Sequence, residues 1–146
     1  MPIVIQINQN FHQKFIPQGT KIDWQKRDLL YVRQLIQLKN TLIWDLDSPR
    51  RSTKWWLKQT STSNTLEKNL HKLPLIRCFL EQYCEDISCY QIRRLTKVFI
   101  DSNLNRQPLP QWRILRKAGL SEERMTSETK KFLEYIVHEF SNIIQN

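Results

Sequence analysis

Two tryptophans flanked by cations form the most chemically suggestive stretch of this chain. Arg50, Arg51, Lys54, Trp55, Trp56 and Lys58 lie within Pro49 to Thr65, which reads PRRSTKWWLKQTSTSNT and contains no acid. Cations neutralise phosphates, and an indole face gives a base something to stack on. The stretch is therefore a candidate nucleic-acid contact, with Trp55 and Trp56 expected at the surface. The competing interpretation is a solvated loop whose tryptophans tuck into the core.

A second basic and aromatic grouping surrounds Trp112, with Arg113, Arg116 and Lys117 beside it. It lies within QWRILRKAGLSEERM, where Ile114, Ala118, Leu120 and Met125 fall at the inward positions of a helix-turn-helix and Gly119 occupies its turn. Glu122 and Glu123 would open the recognition helix and repel phosphates, and Leu115 stands where a small residue usually lets the helices cross. The match is thus partial, and an ordinary helical hairpin explains it equally well. Trp112, three residues before Leu115, is expected to be a buried anchor. Arg93, Arg94 and Lys97 share one helical face that could follow a phosphate backbone or simply face solvent.

Metal and catalytic patterns are weak. Cys78, Cys84 and Cys89 match no zinc spacing, and His71 does not complete one. Their expected role is that of buried helical thiols. His138 adjoins the apolar stripe of the last helix, where a structural histidine is the commoner outcome. Asp45 and Asp47, with Glu67 or Asp101, could hold a divalent ion in a small nuclease, although two acids at a helix end more commonly bond to the local backbone. No cofactor is expected. With Gly19 and Gly119 the only glycines, no P-loop or dinucleotide fingerprint can be written.

The elements that would position these residues follow from periodicity. Ile3, Ile5 and Ile7 alternate with other residues and suggest a short strand or arm within residues 1–20. Leu29, Val32, Leu35, Ile36, Leu38, Leu42, Ile43 and Leu46 recur at helical spacing, so a helix is predicted from an Asp23 cap to about Leu46, stopped by Pro49. Residues 49–65 are assigned as a basic, Ser/Thr-rich loop and 66–146 as a helical core. Within that core Leu66, Leu70 and Leu73 resume the pattern, and Pro74 opens a helix with Leu75, Phe79, Leu80 and Tyr83 on its face. A third helix spans about Ser88 to Asp101, a short one Gln111 to Ala118 ends at Gly119, and Phe132, Leu133, Ile136, Val137, Phe140, Ile143 and Ile144 line the last.

The expected fold is all-α: a single compact domain of about five helices with a short N-terminal strand or arm. A length of 146 residues, 40% hydrophobic and 25% charged, suits a globular core. The sequence contains neither a signal-peptide pattern nor a membrane-length apolar run. Three clustered cysteines suit a reducing, cytoplasmic compartment. A formal charge of +9 favours polyanionic partners. The leading function is non-enzymatic binding of DNA or RNA. The rivals are a protein-interaction subunit, whose N-terminal arm would add to a partner's sheet edge, and a metal-dependent nuclease.

Overall fold

The computed structural model describes residues 21–104 and 108–145, and the expected arm around Ile3, Ile5 and Ile7 lies outside them. Among the described residues the fold is all-α, with seven α-helices and no strand: α1 (Trp24–Thr41), α2 (Thr53–Lys58), α3 (Ser63–Lys68), α4 (Pro74–Tyr83), α5 (Ile87–Leu104), α6 (Gln111–Ala118) and α7 (Ser127–Gln145). The chain divides into two compact units. One comprises the described residues up to Asp45 together with Arg51–Cys84; the other comprises Leu46–Arg50 and the described residues from Glu85 onward.

In the first unit α1 packs on α4 and α2 on α3. Asp23 caps α1 by accepting from the Lys26 N–H at 3.1 Å. The inward stripe of α1 is Tyr31, Val32, Leu35 and Leu38, which meets Trp56, Leu57, Leu66, Leu73, Ile76, Phe79 and Leu80 in one core. Asp28 is also buried, and its two carboxylate oxygens accept the Leu75 and Ile76 N–H groups at 2.9 Å each. A side chain of α1 thereby caps α4, whose first turn begins with Pro74 and has no local cap.

The first helix stops at Thr41, short of the expected Leu46. Thr41 Oγ1 donates to the Leu38 carbonyl at 2.7 Å, and the half-buried Arg51 donates to the carbonyls of Leu42 at 3.3 Å and Asp45 at 2.7 Å. The chain's polar groups are thus satisfied in a turn, and Ile43 is 63% exposed; like Leu29 and Ile36 within the helix, it was expected to face inward and does not. Residues 49–65, expected to be a loop, instead contain α2 and the start of α3. Ser52 caps α2 by accepting from the Trp55 N–H at 3.2 Å.

In the second unit α5 packs against both α6 and α7. Its core joins Leu95, Val98, Leu109, Ile114, Leu115, Ala118, Met125, Leu133 and Ile136. α6 ends as expected at Gly119, whose φ of 66° is left-handed and suits glycine. The Gly119 N–H reaches the Arg116 carbonyl at 3.2 Å, and the Leu120 N–H reaches that of Leu115 at 3.0 Å, the paired bonds of a Schellman ending.

The helix opening at Glu122 that the helix-turn-helix alternative requires does not form. Glu122–Arg124 is one 3-10 turn, Met125 is extended, and α7 begins at Ser127. The buried Gln91 explains why: its amide donates to the Arg124 carbonyl at 2.8 Å and accepts from the Thr126 N–H at 3.1 Å and the Thr129 hydroxyl at 2.8 Å. Those backbone groups are satisfied from α5 and need no helical partner.

Candidate nucleic-acid interface

The burial of Trp56 and Trp112 is the reverse of what spacing suggested. Trp56 is 1% exposed, its indole N–H donating to the Tyr83 carbonyl at 3.1 Å, and its ring stands edge-on to Phe79 with centroids 5.1 Å apart. Trp55, half-buried, packs edge-on against Trp56 at 5.0 Å. Trp56 therefore has no face for a base. The signal was present in the sequence: a Ser52 cap followed by Trp56, Leu57 and Thr60 at helical spacing, all three of them buried. Of the cations in this stretch, Lys54 and Lys58 are exposed on α2, while Arg51 is tied to the end of α1. Arg50, in the other unit, is exposed and donates to the Glu85 carbonyl at 3.2 Å.

Trp112, expected to be buried, is 59% exposed. The buried side of α6 is Ile114, Leu115 and Ala118. At about 100° per residue this leaves Trp112, Arg116, Arg113 and Lys117, in that angular order, on the opposite arc. All four are exposed. The Arg113 guanidinium lies 5.4 Å from the centroid of the Trp112 ring, a cation over an aromatic face. Arg116 and Lys117 occupy the last turn, where positive charge complements the helix dipole, so part of their placement is local helix chemistry.

The basic face of α5 is largely consumed internally. Arg93 donates to both oxygens of Glu85 at 2.7 and 2.8 Å and to the carbonyls of Leu46, Ser48 and Pro49 at 2.8 to 3.1 Å. Every guanidinium nitrogen is engaged, and its side chain is 10% exposed. It fastens residues 46–50 to α5 instead of offering a phosphate contact. Arg94 donates to the Ala118 carbonyl and to the Tyr90 hydroxyl, the latter at 3.0 Å, and joins α5 to the end of α6. Lys97 pairs with Asp47, and that hydrogen bond holds the Asp47 carboxyl below its ordinary pKa. Lys97 and Lys117 also line a cleft of about 280 Å³ together with Asp47, Asp101 and Ser102, a lining of mixed charge.

The thiols depart from expectation too. Cys78 and Cys89 are exposed, and Cys84 is half-buried with its Sγ 3.0 Å from the Thr53 hydroxyl. Partial burial and the neighbouring Asp86 carboxylate push the Cys89 thiol up, which keeps it protonated and a poor nucleophile. Among the described residues no group of three His, Cys, Asp or Glu side chains could hold a metal ion, so Asp45 and Asp47 find no cage there. His138 is exposed and shares a 3.2 Å hydrogen bond with Asn142 on α7. No helix of the described residues is long and apolar enough to cross a membrane.

Residues that periodicity did not single out are Trp44, 91% exposed in the turn after α1, and Tyr135, 58% exposed on α7. No protein-family model and no solved structure matches the chain. Over 136 residues, 93% of its length, it is 40% identical to "Transposon Tn7 transposition protein TnsD" of Escherichia coli. The match covers 27% of that relative, so the chain spans about a quarter of the length of the curated protein it resembles.

Proposed function

We propose that this chain is a non-enzymatic DNA-binding segment that contacts backbone phosphates through the exposed arc of α6. The observation that carries the reading is the arc itself: Arg113, Arg116 and Lys117 free of any core role, with Trp112 held open to solvent under the Arg113 guanidinium. Lys54 and Lys58 on α2 add exposed charge. Transposition is a reaction of DNA, and the likeness to a transposition protein supports duplex DNA over RNA as the polyanion that a +9 chain attracts. Phosphate contacts carry no sequence information, so this arc supplies affinity and orientation, and base readout must come from elsewhere.

The test is a salt titration of binding to a labelled DNA duplex, with matched single strands and RNA as competitors. Log affinity is expected to fall linearly with log salt, and the Arg113→Ala, Arg116→Ala, Lys117→Ala triple variant to shallow that slope by about 0.9 per lost contact. Its melting curve should match wild type, since all three side chains are exposed. Salt-independent binding, or a triple variant that binds as the wild type does, overturns the assignment.

A further inference from the structure

α1 carries a second, outward stripe whose regularity its packing does not require. Lys26, Leu29, Arg33, Ile36 and Asn40 are all exposed, and successive members are separated by 3, 4, 3 and 4 residues. That spacing averages about 3.5, the repeat of a coiled-coil seam. The inward stripe of Asp28, Tyr31, Val32, Leu35 and Leu38 is buried on the other side of the same helix. Leu29 and Ile36, one heptad apart, are 43% and 41% exposed. Just outside the helix, Ile22 and Ile43 repeat the same seven-residue spacing and are exposed as well. Two cations and then an amide fill the alternate seam positions. Single exposed aliphatics are ordinary on any surface. A strict alternation of aliphatic and polar side chains along one seam is a pattern with a complement.

We propose that this face of α1 docks an acidic amphipathic helix of a partner protein, with aliphatic residues against Leu29 and Ile36 and carboxylates against Lys26 and Arg33. Asn40 closes the seam with a polar amide, a group that fixes register in a helix pair. Charge selects the occupant. The carboxylate within α1, Asp28, is buried, and that of Asp23 is spent on capping the helix, so the charged seam positions have one sign only. A second copy of this chain would bring cations against cations, which disfavours self-association through the seam. A nucleic acid would satisfy the cations and leave the aliphatics against phosphates and sugars. An apolar and acidic helix satisfies both sets at once, the helix-on-helix mode in which apolar anchors give affinity and flanking charges fix register and partner. The inference does not rest on the DNA-binding reading, because no residue of α6 takes part.

The experiment uses the whole chain and two labelled synthetic helices of several heptads, one with Leu and Glu alternating along its seam and one with Lys in place of Glu. Fluorescence anisotropy at physiological salt should show saturable binding of the Glu peptide, roughly tenfold or more tighter than the Lys peptide. Arg33→Glu and Ile36→Asp should each weaken it by a similar factor with unchanged melting curves, and Arg33→Glu should gain affinity for the Lys peptide. That charge swap separates recognition from damage to the fold. Equal binding of the two peptides overturns the proposal, as does indifference to both substitutions. It is likewise overturned by a wild-type dimer that Ile36→Asp dissolves, or by an equal loss of duplex DNA affinity in the two variants.

Discussion

Truncating each of two tryptophans separates core from surface in this chain. Trp56 is 1% exposed, touches Phe79 and Trp55 edge-on, and spends its indole N–H on the Tyr83 carbonyl. Trp56→Ala removes a buried ring, which costs about 3 to 5 kcal/mol, and takes the donor from that carbonyl, which adds about 1 kcal/mol. With a urea m-value of about 2 kcal/mol/M, the midpoint of the unit containing Trp56 should fall by roughly 2 to 3 M. Trp112 is 59% exposed, and its removal should stay within about 0.5 kcal/mol, a midpoint change of roughly 0.25 M. Urea unfolding followed by far-ultraviolet circular dichroism measures both, and Trp56→Phe, which keeps a ring but not the N–H, should fall between them. A Trp112→Ala variant as unstable as Trp56→Ala, or a Trp56→Ala variant with the wild-type midpoint, would refute this assignment of core and surface.

Two further predictions concern carboxylates. Asp28→Ala removes the buried carboxylate that accepts two hydrogen bonds from the Leu75 and Ile76 N–H groups at the start of α4, at about 1.5 to 3 kcal/mol each, and should destabilise by roughly 3 to 6 kcal/mol. Asp28→Asn, which keeps one acceptor oxygen, should lose about half as much in the same urea titration. Asp47 is held below its ordinary pKa by the hydrogen bond from Lys97, and Asp86 by the backbone N–H of Cys89. Both therefore bind protons more weakly folded than unfolded. Their stabilisation is present above the unfolded carboxylate pKa of about 4 and is lost as pH falls through the lowered folded values. The thermal midpoint should drop on acidification below about pH 4, and Lys97→Ala should lessen that drop; an unchanged acid profile in that variant would sink the pairing.

Local chemistry was readable wherever a residue acts on its own neighbours. The Asp23 cap, Pro74 at a first turn, Gly119 at a left-handed ending and the burial of Val32, Leu35 and Leu38 on α1 and of Leu133 and Ile136 on α7 need only the helical period and the backbone's unsatisfied groups, whereas Leu29 and Ile36, which share that period, face outward. The all-α class follows from the same patterns. The basic grouping around Trp112 was visible as composition, but the stretch around Trp55 and Trp56 ranked ahead of it, and Trp112 itself, expected to be buried, is exposed.

What tertiary structure decided was which polar and aromatic groups would find partners far along the chain. Trp56 is buried because Phe79 and the Tyr83 carbonyl, more than 20 residues away, receive its ring and its N–H. Arg93 is withdrawn from the surface because its guanidinium meets Glu85 and three carbonyls near Pro49. Gln91 holds residues 124–126 out of a helix in the same way. Cations and indoles at helical spacing have one composition whether they face solvent or a partner. Only the geometry of long-range satisfaction separates the two, and a periodicity of about 3.6 carries no information about it.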